Sequence, residues 1–124
     1  MKKYLQLNNI GAYQIAFRLS NYIWNMIIKW NYFEKNTIGI QFVRAVDSVS
    51  ANIAEGFGRY TKKDKVKFYR YSHGSVKESL DWNEKAKTRK LFNEKEYEYV
   101  LQELSRLPKE LNYLIKFTND NLTM

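Results

Sequence analysis

Few residues in this chain have the type and spacing to act on a ligand. There is one histidine, His73, and no cysteine. That excludes a thiolate nucleophile, Cys-based metal sites and paired-His metal sites. Di-metal carboxylate bundles place a glutamate three residues before a histidine, and none precedes His73. The lone imidazole is expected at the edge of a helix's apolar face, hydrogen-bonded rather than catalytic. Glu55 and Glu78 are the carboxylates expected to be partly buried, where a raised pKa would suit a general acid. No nucleophile, metal set or second base accompanies them, so they are expected to be structural groups tied to Ser48, Asn52 and Ser75. Gly56-Phe57-Gly58-Arg59 is glycine-rich but lacks the preceding strand and the lysine of a phosphate loop. It is expected to end a helix. No enzymatic activity, cofactor or metal is expected from this inventory.

The stronger signal is charge. The chain has 21 Lys+Arg against 13 Asp+Glu, a formal net charge of +8. Between Arg59 and Lys90 lie 11 basic and four acidic residues, which is +7 of that total. On a helical wheel Lys63, Lys67, Arg70, Lys77 and Lys85 share a sector roughly 80° wide, with Tyr71 and Trp82 beside it. Cations that neutralise phosphates, next to rings that stack on unpaired bases, suit a nucleic acid. The candidate nucleic-acid-binding residues are Arg59, Lys62, Lys63, Lys67, Arg70, Lys77 and Lys85. Any bundle also presents a charged outer face, and Asp81 and Glu84 interrupt this one. Charge alone does not separate RNA, DNA and an acidic protein partner.

The elements that must carry these residues are helices. A length of 124 residues supports one domain, residues 1–124, with a real core. Five glycines and one proline argue against a chain of many tight turns. Apolar spacing of 3 and 4 predicts helices over about 10–32, 38–57, 62–90 and 94–119. In the first, Leu19, Met26 and Trp30 widen the apolar arc to roughly 200°, more than one buried stripe requires. Leu19, Ile23, Met26 and Trp30 are therefore expected at an interface between copies. Residues 33–37 form the expected break, with Asn36 or Thr37 capping the second helix. Gly56 and Gly58 are expected to end that helix in the left-handed conformation. Thr61 with Asp64, and Asn93 with Glu96, are expected to cap the third and fourth. The third carries an inward row of Phe68, Ser72, Ser75, Ser79, Asn83 and Ala86, small enough for close helix approach. Pro108 is expected to kink the fourth helix without breaking it, because the apolar stripe keeps its phase. Four such helices with short connections predict an all-α, antiparallel up-down-up-down bundle.

The segment MKKYLQLNNIGAYQ has no apolar run of signal-peptide length, and Ile23 to Trp30 is broken by Asn25 and Lys29. Both fall short of the roughly 20 apolar residues that span a bilayer. A cytoplasmic chain without a membrane role is expected.

One stretch is more specific. Ser48-Val49-Ser50-Ala51-Asn52-Ile53-Ala54-Glu55-Gly56-Phe57-Gly58-Arg59 is followed by Phe68-Tyr69-Arg70-Tyr71-Ser72-His73-Gly74-Ser75 and then Glu78. This pattern closely resembles the bacterial four-helix bundle family, also called the 23S rRNA intervening-sequence protein family, and the helix lengths match over about 10 to 118. The resemblance implies a left-handed bundle that often assembles as a homopentameric ring, without enzymatic activity. A more distant relative is the basic accessory protein of diversity-generating retroelements, which associates with a reverse transcriptase and nucleic acid. Carried over to this chain, Asn52, Glu55, Gly56, Arg59, Gly74, Ser75 and Glu78 are expected to serve helix packing and assembly, with Ser48 in the same motif. Two functions stay open: an oligomer that binds RNA or DNA, and a scaffold or accessory subunit for a nucleic-acid-processing protein.

Overall fold

The structure is a computed structural model and describes residues 6–122. Those residues are helical with no strand among them. A short 3-10 turn, Leu7–Asn9, leads into α1 (Gly11–Ile27). A helical lead-in, Tyr32–Glu34 and a π-helical turn Lys35–Gly39, runs into α2 (Ile40–Gly58). Then come α3 (Lys62–Thr88) and α4 (Glu94–Asn121). α1 and α3 each pack on both α2 and α4, so the four helices close around one core, as a four-helix bundle does. Its centre holds Leu19, Ile23, Phe42, Val49, Ile53, Val76, Leu104 and Leu111, none of them accessible.

Local chemistry explains the helix starts. The Thr61 hydroxyl accepts from the Asp64 N–H at 3.1 Å. Asn93 and Glu96 form a reciprocal capping box, at 2.8 and 2.9 Å. α4 continues unbroken through Pro108, and Leu104, Leu107, Leu111 and Leu114 are buried on both sides of it. The helix stays whole because that apolar stripe is anchored on either side of the missing N–H.

Three expectations fail. The first break lies at residues 28–31, not 33–37. Asn36 and Thr37 do not cap; their side chains donate to the carbonyls of Tyr32 and Phe33, both at 2.7 Å, as mid-helix residues do. Tertiary contacts set the true break. Gly39 approaches Ile27 so closely that an added Cβ would lie 2.9 Å from its Cγ2. Trp30 packs edge-on against Phe92, centroids 5.6 Å apart, and Lys35 Nζ donates to the Ile28 carbonyl at 3.3 Å. The second failure concerns glycine. Among the described residues no glycine has positive φ, and the only non-glycine that does is Lys90, at 60°. Lys90 sits just past α3, with Leu91 N–H donating to the Ala86 carbonyl (2.8 Å) and its own N–H to Lys87 (3.0 Å). That is a Schellman ending with lysine where glycine is usual. The third failure is a small rotation of α3: Tyr69 and Val76 are buried, while Phe68 and Ser75 are only half-buried. Ser72, Ser79, Asn83 and Ala86 do face inward.

Candidate nucleic-acid interface

α3 positions the cations. Lys62, Lys63, Lys67 and Arg70 surround one shallow depression, completed by Val66 and by Asn119 from α4. None of these four is in an ion pair among the described residues. Lys67 Nζ lies 5.8 Å from the Phe68 ring centroid and 6.0 Å from that of Tyr71, and the two rings meet edge-to-face at 5.4 Å. Tyr71 is exposed. A four-cation cluster beside an open ring can neutralise adjacent phosphates.

The other predicted cations are placed differently. Lys77 is exposed on the same helix beyond the depression. Arg59 is held by Glu55 (Nη2 to Oε1 2.7 Å) and lies 4.6 Å over the Phe68 ring. Lys85 pairs with Asp81 at 2.6 Å and lies 4.5 Å over the Trp82 ring. From Lys63 to Lys85 is about 33 Å along the helix at 1.5 Å per residue, so the seven do not form one patch. Lys65 turns the other way. Its Nζ donates to the Phe57 carbonyl at 2.6 Å, closing the end of α2, and burial lowers its pKa.

His73 lies at the flank of this surface, half-buried, with Nε2 3.1 Å from Asn112 Oδ1. Burial depresses its pKa, the Asn112 contact opposes that, and Arg70 and Lys77 add to the depression. The hydrogen-bonded edge position is as expected. Glu55 and Glu78 are not where the sequence reading put them. Glu55 is 52% exposed with Arg59 as its partner. Glu78 is exposed and accepts from Trp82 Nε1 at 3.0 Å. Serine and asparagine do not bind either one: the Ser48 hydroxyl donates to the Arg44 carbonyl at 2.7 Å, and Asn52 Nδ2 to the Ser48 carbonyl at 2.9 Å. One turn of helix brings each donor onto its own backbone, out of reach of the carboxylates. Ser75 is half-buried and its carbonyl accepts from the Ser79 hydroxyl at 2.8 Å.

The glycines of the motif divide. At Gly56 an added Cβ would lie 2.7 Å from Tyr69 Cε1 and 3.0 Å from the Lys65 carbonyl, so its bareness lets α2 meet α3. Gly74 is exposed with nothing within 4 Å of such a Cβ, so it packs against nothing among the described residues.

The expected interface residues of α1 also need correction. Leu19 and Ile23 are 0% exposed inside the bundle. Met26 and Trp30 are half-buried against the same core. α1 has two neighbours, α2 and α4, and together they cover the wide arc. The large apolar side chains left outside here are Phe17 and Trp24 of α1 and Ile28 just past its end. No described helix is long and apolar enough to cross a membrane.

Sequence reasoning missed the exposed aromatics ahead of α2, Tyr32 and Phe33. Their position beside polar residues was the available signal, hidden by ending the first helix at Tyr32 and placing Phe33 in a break.

A solved protein of unknown function from the S23 ribosomal protein family of Bacteroides thetaiotaomicron VPI-5482 has a similar fold. Its TM-score is 0.75 at 19% identity, over 85% of this chain and 98% of that one. No curated protein matches the chain. Residues 8–113 match the family model described as 23S rRNA-intervening sequence protein, as the Ser48–Arg59 and Phe68–Glu78 motifs led us to expect, and the chain belongs to that family.

Proposed function

We propose that this protein is a non-enzymatic, cytoplasmic, homo-oligomeric bundle that binds nucleic acid through the cationic face of α3. The observation that carries the reading is the cluster of Lys62, Lys63, Lys67 and Arg70 around one depression, without a carboxylate partner among the described residues. The non-enzymatic part is supported by a histidine occupied by Asn112 and by two motif glutamates that lie in the open. An antiparallel order is supported by contacts whose numbers run in opposite senses: Ser72 meets Val49 while Lys65 meets Phe57, and His73 meets Asn112 while Asn83 meets Tyr97. The left-handed sense and the pentameric ring rest on the family resemblance. For assembly we assign the exposed Phe17 and Trp24 of α1 with Ile28 just past its end, because an exposed apolar row is best covered by another protein. A ring of five would repeat the cationic face and raise the effective concentration of each weak site.

The test is binding to structured RNA and to duplex DNA across a salt series. Lys63, Lys67 and Arg70 are changed together to glutamine. Each lost phosphate contact lowers the slope of log K against log salt by about 0.9 on duplex DNA, so the triple variant drops by roughly 2.7. An equal slope in variant and parent overturns the reading. A second reading, a protein scaffold for a nucleic-acid-processing partner, is favoured by the same Phe17, Trp24 and Ile28 row. It predicts one protein partner retained from lysate after nuclease, with no direct nucleic-acid binding.

A further inference from the structure

A second surface lies at the other end of α3. Phe33, Thr37 and Gln41 come from the approach to α2 and its first turn. Trp82, Lys85 and Arg89 come from the end of α3. Together they line one depression, with only Ile38 behind them. Phe33 is 71% exposed, and no ring or cation covers it among the described residues. It precedes a π-helical turn, a distortion that recurs at functional sites. That turn buries Ile38 and Gly39 while leaving Phe33 and Thr37 outside. Opposite, Glu78 fixes the Trp82 indole by its N–H, and Lys85 lies over the ring. The Lys85–Asp81 pair is at the surface, where such pairs hold weakly and yield to a competing phosphate. Arg89 is exposed beside it, in no ion pair among the described residues.

We propose that this depression is a binding site for an unpaired nucleotide: the base stacks on Phe33, Thr37 and Gln41 meet its polar edge, and Lys85 and Arg89 take the phosphate. The proposal rests on the nucleic-acid reading above and deepens it by naming single-stranded segments as the preferred ligand. Aromatic and cationic groups around one hollow fit a base with its phosphate better than an acidic helix, which needs no open ring. A uniform duplex does not fit, because its bases are already stacked on each other.

The experiment measures fluorescence anisotropy of three probes on the full chain: a short mixed-sequence single-stranded RNA, a duplex RNA of equal length, and labelled inorganic polyphosphate. Phe33→Ala is expected to weaken the single strand about fivefold or more, the low end of one base stacked on one ring, and to leave polyphosphate unchanged. Phe33→Trp retains binding. The single strand quenches tryptophan emission, and Trp82→Phe removes most of that quench. The proposal is overturned if Phe33→Ala binds the single strand like the parent, or loses polyphosphate equally. It also falls if the variant changes sedimentation, which would make Phe33 a contact between copies. If polyphosphate and duplex bind but the single strand gains nothing from Phe33, the α3 reading stands alone. If no polyanion binds, both fall.

Discussion

Gly56 and Gly74 allow the same change, glycine to alanine inside a helix, to be made in two opposite surroundings. Alanine raises helix propensity by about 1 kcal/mol at either position. At Gly74 nothing opposes that gain, because the new methyl meets no atom within 4 Å. Gly74→Ala is expected to stabilise the chain by about 0.5–1 kcal/mol. At Gly56 the methyl would lie 2.7 and 2.9 Å from two carbons of the Tyr69 ring and 3.0 Å from a backbone oxygen. Tyr69 is 1% exposed and has no room to withdraw. Forcing a methylene into such a site costs about 1–3 kcal/mol. Because the propensity gain is common to both, the difference between the two variants isolates this overpacking and is expected at about 1–3 kcal/mol. Urea unfolding followed by circular dichroism reads it as a shift in midpoint at unchanged slope. Equal midpoints for the two variants would refute the claim that Gly56 exists to let α2 and α3 touch. A Gly74→Ala variant that dissociates on dilution when the parent does not would place that bare position in a contact between copies.

Lys90 holds a left-handed conformation that costs a side-chain-bearing residue about 1 kcal/mol, so Lys90→Gly is expected to raise stability by up to that amount in the same assay. His73 has a folded pKa below its ordinary 6.5, so its contribution is present above pH 6.5 and is lost as pH falls through the folded value. Stability measured from pH 7.5 downward should therefore decline less in His73→Gln, which has no proton to take up; parallel curves for parent and variant would remove this group from the acid response.

Capping was legible because it is local. Thr61 and Asn93 announce helix starts through side chains that reach only three residues onward, and both do so in the fold. The polar inward row of α3 was legible for a similar reason: Ser72, Ser79 and Asn83 recur at helical spacing, whatever packs on them. Ser72 donates to the Val49 carbonyl at 2.7 Å and Asn83 to that of Tyr97 at 3.3 Å. The break after α1 was not legible. No glycine or proline marks residues 28–31, and the stop is set by Trp30 meeting Phe92, 62 positions away in sequence. The α1 interface assignment failed because a wheel measures the width of an arc and not the number of neighbours covering it. Glu55 and Glu78 were placed inside by proximity in sequence to small polar residues, yet Ser48 and Asn52 spend their donors on their own helix. Within the candidate site, composition located the cations on α3. Only the fold separates Lys62, Lys63, Lys67 and Arg70 from Lys85.

α3 is one continuous helix from Lys62 to Thr88, and both proposed contact regions are built on it. If one nucleic acid filled both, the helix would act as a ruler. Lys63 in one region and Lys85 in the other stand about 33 Å apart along it, close to one full turn of B-form duplex at about 34 Å. A hairpin whose stem occupies the cationic end and whose loop arrives one turn later would meet both at once. Stems shorter or longer by half a turn would present the loop to the wrong side, so on the proposed binding the rod would select stem length without reading a single base pair.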